Sequence, residues 1–248
     1  NSCVYIIDNN SSDGSVKFVR ENFPKVKIIT LDKNYGFAGG YNKGLKAITE
    51  DLICIMNNDI EVTSNWLNPI REIFSEKPNS IIQPTIMDLN NKQYFEYAGA
   101  SGGFIDKYGY PFCRGRIFKT VEKNNGQYTD SKIFWASGAC MFIQKKQFFE
   151  LGGFDERFFA HMEEIDLCWR LKNVKYKNFC QPKSLVYHSG GETLSDNDPR
   201  KTYLNFRNNL MMILKNENLF YAFPKIFLRL ILDIFASVLI SIKKKSIF

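Results

Sequence analysis

The feature that most limits how this chain can fold is a threefold alternation at its start. Short apolar runs at residues 4–7, 26–31 and 52–56 are each followed, after a polar turn, by helical spacing over 15–22, 37–48 and 66–75. Pro24 stops the first of these helices. Continuous apolar runs joined by helices of this length predict an α/β architecture, a mostly parallel central sheet with flanking helices on both faces. The alternation breaks down over 88–132, where glycines and aromatics dominate. Short antiparallel strands and loops covering a substrate are expected there. Regularity returns at 134–143, with helices expected near 147–151 and over 163–172 and short strands at 176–179 and 184–187. No repeat or linker divides the body, so one domain is expected over residues 1–215, followed by a helical tail over 216–248.

Composition narrows the function classes. Hydrophobic residues make up 44% and aromatics 15% of the 248, which suits a well-cored protein and excludes a disordered one. The 33 Lys and Arg outnumber the 26 Asp and Glu, giving +7. Such a surface suits a nucleotide diphosphate, an anionic membrane or nucleic acid. The body holds no basic block with interleaved aromatics, so no nucleic acid partner is expected. The six cysteines form no C-x-x-C pair, and several lie in apolar runs where cysteine acts as a small hydrophobe. A reduced cytoplasmic setting follows from that usage.

Several polar groups sit where an α/β sheet places its ligands, just beyond the carboxyl ends of strands. Asn57, Asn58 and Asp59 end the run 53–56. Asp59 is either a ligand-site carboxylate or the Asx-type turn that closes the strand. Asp8, with Asn9 and Asn10 behind it, ends the run 4–7 and can accept from a pyrimidine N–H or a ribose hydroxyl. A helix cap is the alternative, although Ser11, Ser12 and Asp13 lie closer to the helix start. Gly36, Gly39, Gly40 and Gly44 fall in or beside a helix, where each glycine costs about 1 kcal/mol against alanine. Close approach of a nucleotide would account for them, with Asn34 and Asn42 as donor-site amides; tight packing of the helix on the sheet accounts equally well for Gly40 and Gly44. The spacing matches neither a Walker nor a Rossmann fingerprint.

Glu163, Glu164 and Asp166 gather three carboxylates at the start of an expected helix. The helix dipole favours them there. Crowding of like charges also raises at least one pKa, which moves a carboxylate towards general-base behaviour. Arg170 is placed four residues on to pair with Asp166. Of the two histidines, His188 follows a strand and precedes Ser189, Gly190 and Gly191, whereas His161 is expected to serve packing. Small residues at 136–139 leave room for a ring beside Trp135, whose face could stack on it. Arg200, Tyr203, Arg207 and Asn208 recur at helical spacing and either hold phosphate or form a solvated face.

In this order the segments 6–15, 34–44, 53–59, 152–156 and 163–167 resemble a family-2 glycosyltransferase of the GT-A fold, in its bacterial rhamnosyltransferase-like branch. The resemblance covers residues 3–215. It implies transfer of a sugar, rhamnose or a similar hexose, from a dTDP- or UDP-sugar donor to a hydroxyl of a cell-surface glycan or lipid-linked acceptor, with inversion. It implies a divalent metal, Mg²⁺ or Mn²⁺, at Asp59, with His188 completing the metal or diphosphate site. Asn57 stands where the family's Asp-x-Asp motif has its first acid. Asp8, Asn10, Asn34, Gly36, Asn42, Asn57 and Asn58 would line the donor, and Asp8 would contact the base. Glu164 takes the position of the catalytic base, with Glu163 and Asp166 as rivals. The resemblance also implies a βα unit ahead of residue 4, so the chain is expected to be a fragment that lacks it. A non-catalytic nucleotide-sugar-binding or assembly subunit is the rival reading, on the strength of Asn57, Glu164 and the absent first strand. A nucleotidyltransferase would need a glycine-rich phosphate loop that is not visible.

In the tail, residues 226–242 are apolar except for Arg229, Asp233, Ser237 and Ser241, which on a helix form one slanting polar stripe. The segment is shorter than the roughly 20 residues of a comfortable membrane span. With Lys243, Lys244 and Lys245 following, it reads as a helix lying peripherally on the inner face of the cell membrane, or as one packed on the domain.

Overall fold

The computed structural model describes residues 2–129, 132–190 and 198–244, the last without the side chains of 243 and 244. The chain opens with β1 (Tyr5–Asp8), α1 (Ser15–Asn22), β2 (Lys27–Thr30), α2 (Gly36–Gly44), β3 (Leu52–Met56), β4 (Ile60–Val62) and α3 (Leu67–Glu76). β5 (Ser80–Asp88) precedes four short strands, β6 (Gly103–Ile105), β7 (Pro111–Cys113), β8 (Arg116–Ile117) and β9 (Thr120–Val121). Then come β10 (Lys132–Ile133), β11 (Cys140–Gln144), α4 (Lys145–Glu150), α5 (Glu163–Asn173), β12 (Lys177–His188), α6 (Pro199–Asn216) and α7 (Leu219–Lys244).

The α/β class and flanking helices are as expected, but the sheet is mixed where a mostly parallel one was expected. Its order is β10-β12-β5-β11-β3, with β4 also paired to β12. β11 runs antiparallel to both β3 and β5, inserted between them although it lies far away in sequence. β5 and β12 pair in parallel, as do β1 and β2 in a separate two-stranded sheet. Nothing in a strand's own residues specifies the direction of a neighbour whose paired residues lie 60 to 92 positions away, so this feature is invisible to periodicity.

β5 was not anticipated at all. It carries Pro84 in its middle, and proline without an N–H is normally confined to edges or bulges. Here the register with β12 shifts between Gln181 and Leu185, opposite Pro84 and Thr85, so the irregularity absorbs the missing donor. The same irregularity merges the two strands expected at 176–179 and 184–187 into one. Every residue of β5 from Ser80 to Met87 is buried; Ile81 belongs to one core cluster with Ile55, Met141 and Ile143, and Ile82 and Ile86 to a second with Ile70, Phe74 and Phe142. The stretch 88–132 forms the expected antiparallel pairs, β6 with β7 and β8 with β9.

Candidate active site

Strand pairing brings the first group together. β4 pairs antiparallel to β12 so that Ile60 lies opposite His188, which places Asp59, one residue earlier, against the imidazole. His188 Nε2 is 3.1 Å from Asp59 Oδ1 and 3.3 Å from Asn57 Nδ2. The two residues that the sequence assigned to one metal or diphosphate site, 129 positions apart, are thus in contact. Among the described residues Asp59 Oδ1 is buried with no hydrogen-bond partner. Burial pushes the His188 pKa down, but the adjoining carboxylates of Glu96 and Asp59 outweigh it and raise the pKa above its ordinary value.

Among the described residues no three His, Cys, Asp or Glu side chains form a complete metal cage. The orphaned carboxylate oxygen beside an imidazole nitrogen nonetheless fits a hard divalent cation, which commonly takes one or two protein ligands and completes its shell with phosphate oxygens and water. Asn58 is exposed at the same turn.

The second group is the start of α5. Its approach is strained: Phe159, His161 and Met162 all have positive φ, at 65°, 69° and 74°. Asn208, wholly buried in α6, holds this loop by donating from Nδ2 to the carbonyls of Phe158, Ala160 and His161 at 2.8–2.9 Å. Arg207 Nη2 donates to the carbonyls of Arg157 and Phe158, and Arg200 lies over the Phe159 ring. Two residues left open as phosphate ligands, Arg207 and Asn208, are therefore braces, and Tyr203 is exposed.

The three acids of α5 have separate fates. Asp166 is fully buried and accepts from Arg170 Nε at 2.8 Å, Lys215 Nζ at 2.9 Å and Asn216 Nδ2 at 2.8 Å. The expected Asp166–Arg170 pair is present, and it removes Asp166 as a rival base because no free lone pair faces a substrate. Glu163 is buried, and burial first, then repulsion from Glu164, pushes its carboxyl well above the usual range. Glu164 keeps some accessible surface, as a base must, while the surrounding protein raises its pKa to about 7. Among the described residues its buried Oε2 has no hydrogen-bond partner. Gly138 lies beside it, with a Cβ built there falling 3.5 Å from the Phe37 ring and 3.6 Å from Glu164 Cβ. The next residue, Ala139, accepts from Asn57 N–H at 2.9 Å, so a two-residue stretch links Glu164 to the Asp59 turn.

The expected donor wall is only partly free. Asp8 is buried at the end of β1 and accepts from Ser11 N–H at 3.2 Å, and Asn10 is exposed at φ 63°. Asn9 Nδ2 donates to Asn34 Oδ1 at 3.1 Å and to the Gly36 carbonyl at 2.9 Å, gathering β1 and the start of α2. Gly36, at φ +70°, begins that helix in a conformation suited to glycine.

Asn42 is a correction. Both ends of its amide are spent on Phe154, Nδ2 to the carbonyl at 2.8 Å and Oδ1 from the N–H at 2.9 Å, so it is a structural tie and not a donor-site amide. A Cβ on Gly44 would sit 2.5 Å from Ile7 and one on Gly40 would sit 3.1 Å from Asn9, which favours the packing account of these glycines. Trp135 is a second correction. Its ring lies where a Cβ on Gly103 would be, and its Nε1–H donates to the Phe104 carbonyl at 2.8 Å, so its face is covered by protein and cannot stack on a sugar. Sequence reasoning missed Glu96, whose Oε1 is 3.6 Å from His188 Nδ1, because the stretch around it carries no periodic signal.

Residues 1–151 match the family described as Glycosyl transferase family 2. The chain is 23% identical over 201 residues to N-acetylglucosaminyl-diphospho-decaprenol L-rhamnosyltransferase of Mycobacterium tuberculosis, covering 75% of this chain and 66% of that protein. It is 23% identical over 212 residues to the low-salt glycan biosynthesis hexosyltransferase Agl10 of Haloferax volcanii, covering 83% and 65%. The matches thus span just under two thirds of the length of these relatives. Among solved structures, GalNAc-T7 with UDP, GalNAc and Mn²⁺ superposes with a TM-score of 0.65 at 17% identity over 85% of this chain and 41% of that one. That likeness is one of fold, the GT-A architecture.

Proposed function

This chain belongs to glycosyl transferase family 2, and we propose that it moves a hexosyl group from a nucleoside diphosphate to a hydroxyl of a glycan or lipid-linked acceptor, with inversion. The observation that carries this reading is the short bridge at Gly138 and Ala139, which sets a carboxyl of pKa about 7 beside the strand end that bears Asp59 and His188. A base and a diphosphate-facing pair on one seam are what a single displacement requires. Glu164 takes the proton of the acceptor hydroxyl while that oxygen forms its bond to the anomeric carbon. The bond from that carbon to the diphosphate breaks, and its electron pair departs with the nucleotide. Asp59 and His188 would hold Mg²⁺ or Mn²⁺, which supplies neutralisation of the diphosphate charge when bound. Asp8 accepts from the pyrimidine N–H of a dTDP- or UDP-linked donor, and rhamnose is the sugar that the mycobacterial likeness favours.

We further infer attachment to the cytoplasmic face of a membrane through α7. Among the described residues no helix is long and apolar enough to cross one. α7 instead turns a wide apolar face outward, with Phe220, Phe227, Phe235 and Ile242 between 67% and 79% exposed. The lysines 243–245 that would meet anionic headgroups lie outside the described side chains.

The decisive experiment incubates the chain with dTDP-rhamnose or UDP-hexoses, Mn²⁺ and a polyprenyl-diphospho-sugar acceptor, and follows glycosylated lipid by mass spectrometry. Acceptor-dependent product supports transfer; a donor that stays bound and intact would instead support the binding-subunit reading.

A further inference from the structure

We propose that Glu96 is a positioning residue for His188, holding the imidazole in the tautomer that carries its proton on Nδ1 and leaves the Nε2 lone pair facing Asp59. The inference rests on the reading of Asp59 and His188 as cation ligands.

Glu96 comes from the irregular stretch 88–132. Its segment runs alongside the end of β5, through Asp88 N–H to the Tyr94 carbonyl and Glu96 N–H to the Ile86 carbonyl, each at 3.0 Å. His188 lies opposite Asp88 on β12. The two backbone registers therefore bring Glu96 to the imidazole's far edge. The side chain is 8% exposed. Burying a carboxylate costs free energy unless polar partners meet it. One such partner is the Ala98 N–H, which donates to Oε2 at 2.7 Å and fixes the carboxylate plane. The other oxygen, Oε1, then stands 3.6 Å from His188 Nδ1, close enough to tighten to a hydrogen bond by a few tenths of an ångström. Among the described residues Nδ1 has no hydrogen-bond partner.

Gly190 supplies an independent sign that this space is kept for the pair. It sits at φ +72°, and a Cβ there would come within 3.3 Å of Glu96 Oε1 and 3.9 Å of His188 Nδ1. A larger residue would be strained in that conformation and would press on the oxygen that faces the ring.

On the other edge, Nε2 faces a donor and an acceptor, Asn57 Nδ2 at 3.3 Å and Asp59 Oδ1 at 3.1 Å. A proton on Nε2 would suit Asp59 but would waste the Asn57 donor and leave Nδ1 as a bare lone pair against a carboxylate. A proton on Nδ1 satisfies Glu96 and lets Nε2 accept from Asn57 or bind a cation. An imidazole can ligate only through an unprotonated nitrogen, and the group at the opposite nitrogen decides which one that is. Asn57, which at first reads as a weakened metal motif, thus works with Glu96.

Glu96→Gln tests this with little change of shape. Its oxygen keeps the Ala98 N–H and its NH₂ group turns towards Nδ1, which reverses the preferred tautomer. The chain has two histidines, so nitrogen chemical shifts of ¹⁵N-histidine-labelled protein resolve His188 once a His161→Gln spectrum is subtracted. Under alkaline conditions the parent should show the Nδ1–H form and Glu96→Gln should lose it. Mn²⁺ affinity in the presence of UDP, read by electron paramagnetic resonance, should fall about 10- to 100-fold, while UDP affinity without metal stays within about twofold. A parent with its proton on Nε2, or a folded Glu96→Gln variant with both the parent tautomer and the parent Mn²⁺ affinity, overturns the proposal. Asp59→Asn serves as the control for the underlying reading. If it binds Mn²⁺ as the parent does, the cation reading fails, and the tautomer measurement still decides the role of Glu96.

Discussion

Helices α5 and α7 each bury an ion pair spaced four residues apart, and they use it in opposite ways. In α5, Asp166 and Arg170 lie among Ile165, Leu167, Cys168, Trp169 and Leu171, so charge is taken inside along with an apolar face. The pair is then extended: Lys215 and Asn216 of α6 also bind Asp166, and Arg170 reaches the carbonyls of Leu151 and Gly153. In α7 the charged half of the polar stripe, Arg229 and Asp233, faces the body, while Ser237 is exposed. Arg229 is 1% exposed, bonded to Asp233 at 3.1 Å, to Asn209 and to the Tyr108 carbonyl, with its guanidinium 3.5 Å from the centre of the Tyr110 ring. Tyr110 also donates to Asp233 at 2.8 Å. Most apolar residues of α7 point away, whereas Ala222 is buried and Ile226 packs against the core. An amphipathic period states which residues share a stripe; it does not state which stripe turns inward, because that depends on what surface the rest of the chain offers.

The sharpest break between the two helices should come from Glu164→Gln. Loss of a general base is expected to lower kcat by about 10²- to 10⁴-fold. Donor affinity by calorimetry should stay within about twofold, and no substitution in α7 should imitate this in an assay with a soluble acceptor. If Glu163→Gln has the larger effect, the base has been misassigned.

Next in size are the ion pairs themselves. Asp166→Ala and Arg229→Ala each strand a buried charge and should cost about 3–5 kcal/mol in urea unfolding. The two should part company in function, since only Asp166→Ala disturbs the helix that carries Glu164. Equal loss of soluble-acceptor activity in both would mean that the two ion pairs do not differ in function.

The pH dependence separates the helices again. With the proposed role of Glu164 as base and its pKa of about 7, kcat/KM should rise about tenfold per unit below that value and flatten above it. Stability should move the other way. The folded state raises both Glu163 and Glu164 above the ordinary 4.5, so it binds more protons than the unfolded chain between about 4.5 and 7 and loses stability as pH climbs through that window. Glu163→Gln should flatten the slope measured by thermal unfolding at a series of pH values.

The smallest change in stability, within about 0.5 kcal/mol, is expected for Phe227→Ser and Phe235→Ser on the outward face of α7. Flotation with anionic vesicles should nevertheless fall sharply for both. Unchanged flotation would mean that this face does not meet lipid.

What the sequence by itself determined is local. α1 over 15–22 and β3 over 52–56 have the limits that periodicity predicts, and the Asp166–Arg170 pair forms because four residues bring side chains together on a helix. The residue types of the site were also legible, since a carboxylate beyond a strand end and acids at a helix start announce chemistry wherever they occur. Tertiary structure decided the rest. It inserted β11 between β3 and β5 and accommodated Pro84 with a bulge in the partner strand. It spent Asn42 on Phe154, buried Trp135 against Gly103, brought Glu96 to His188 and turned α7 polar side inward. Each of these is a contact between residues far apart in the chain. Its energy depends on which surface arrives opposite, and no window of neighbouring residues encodes that.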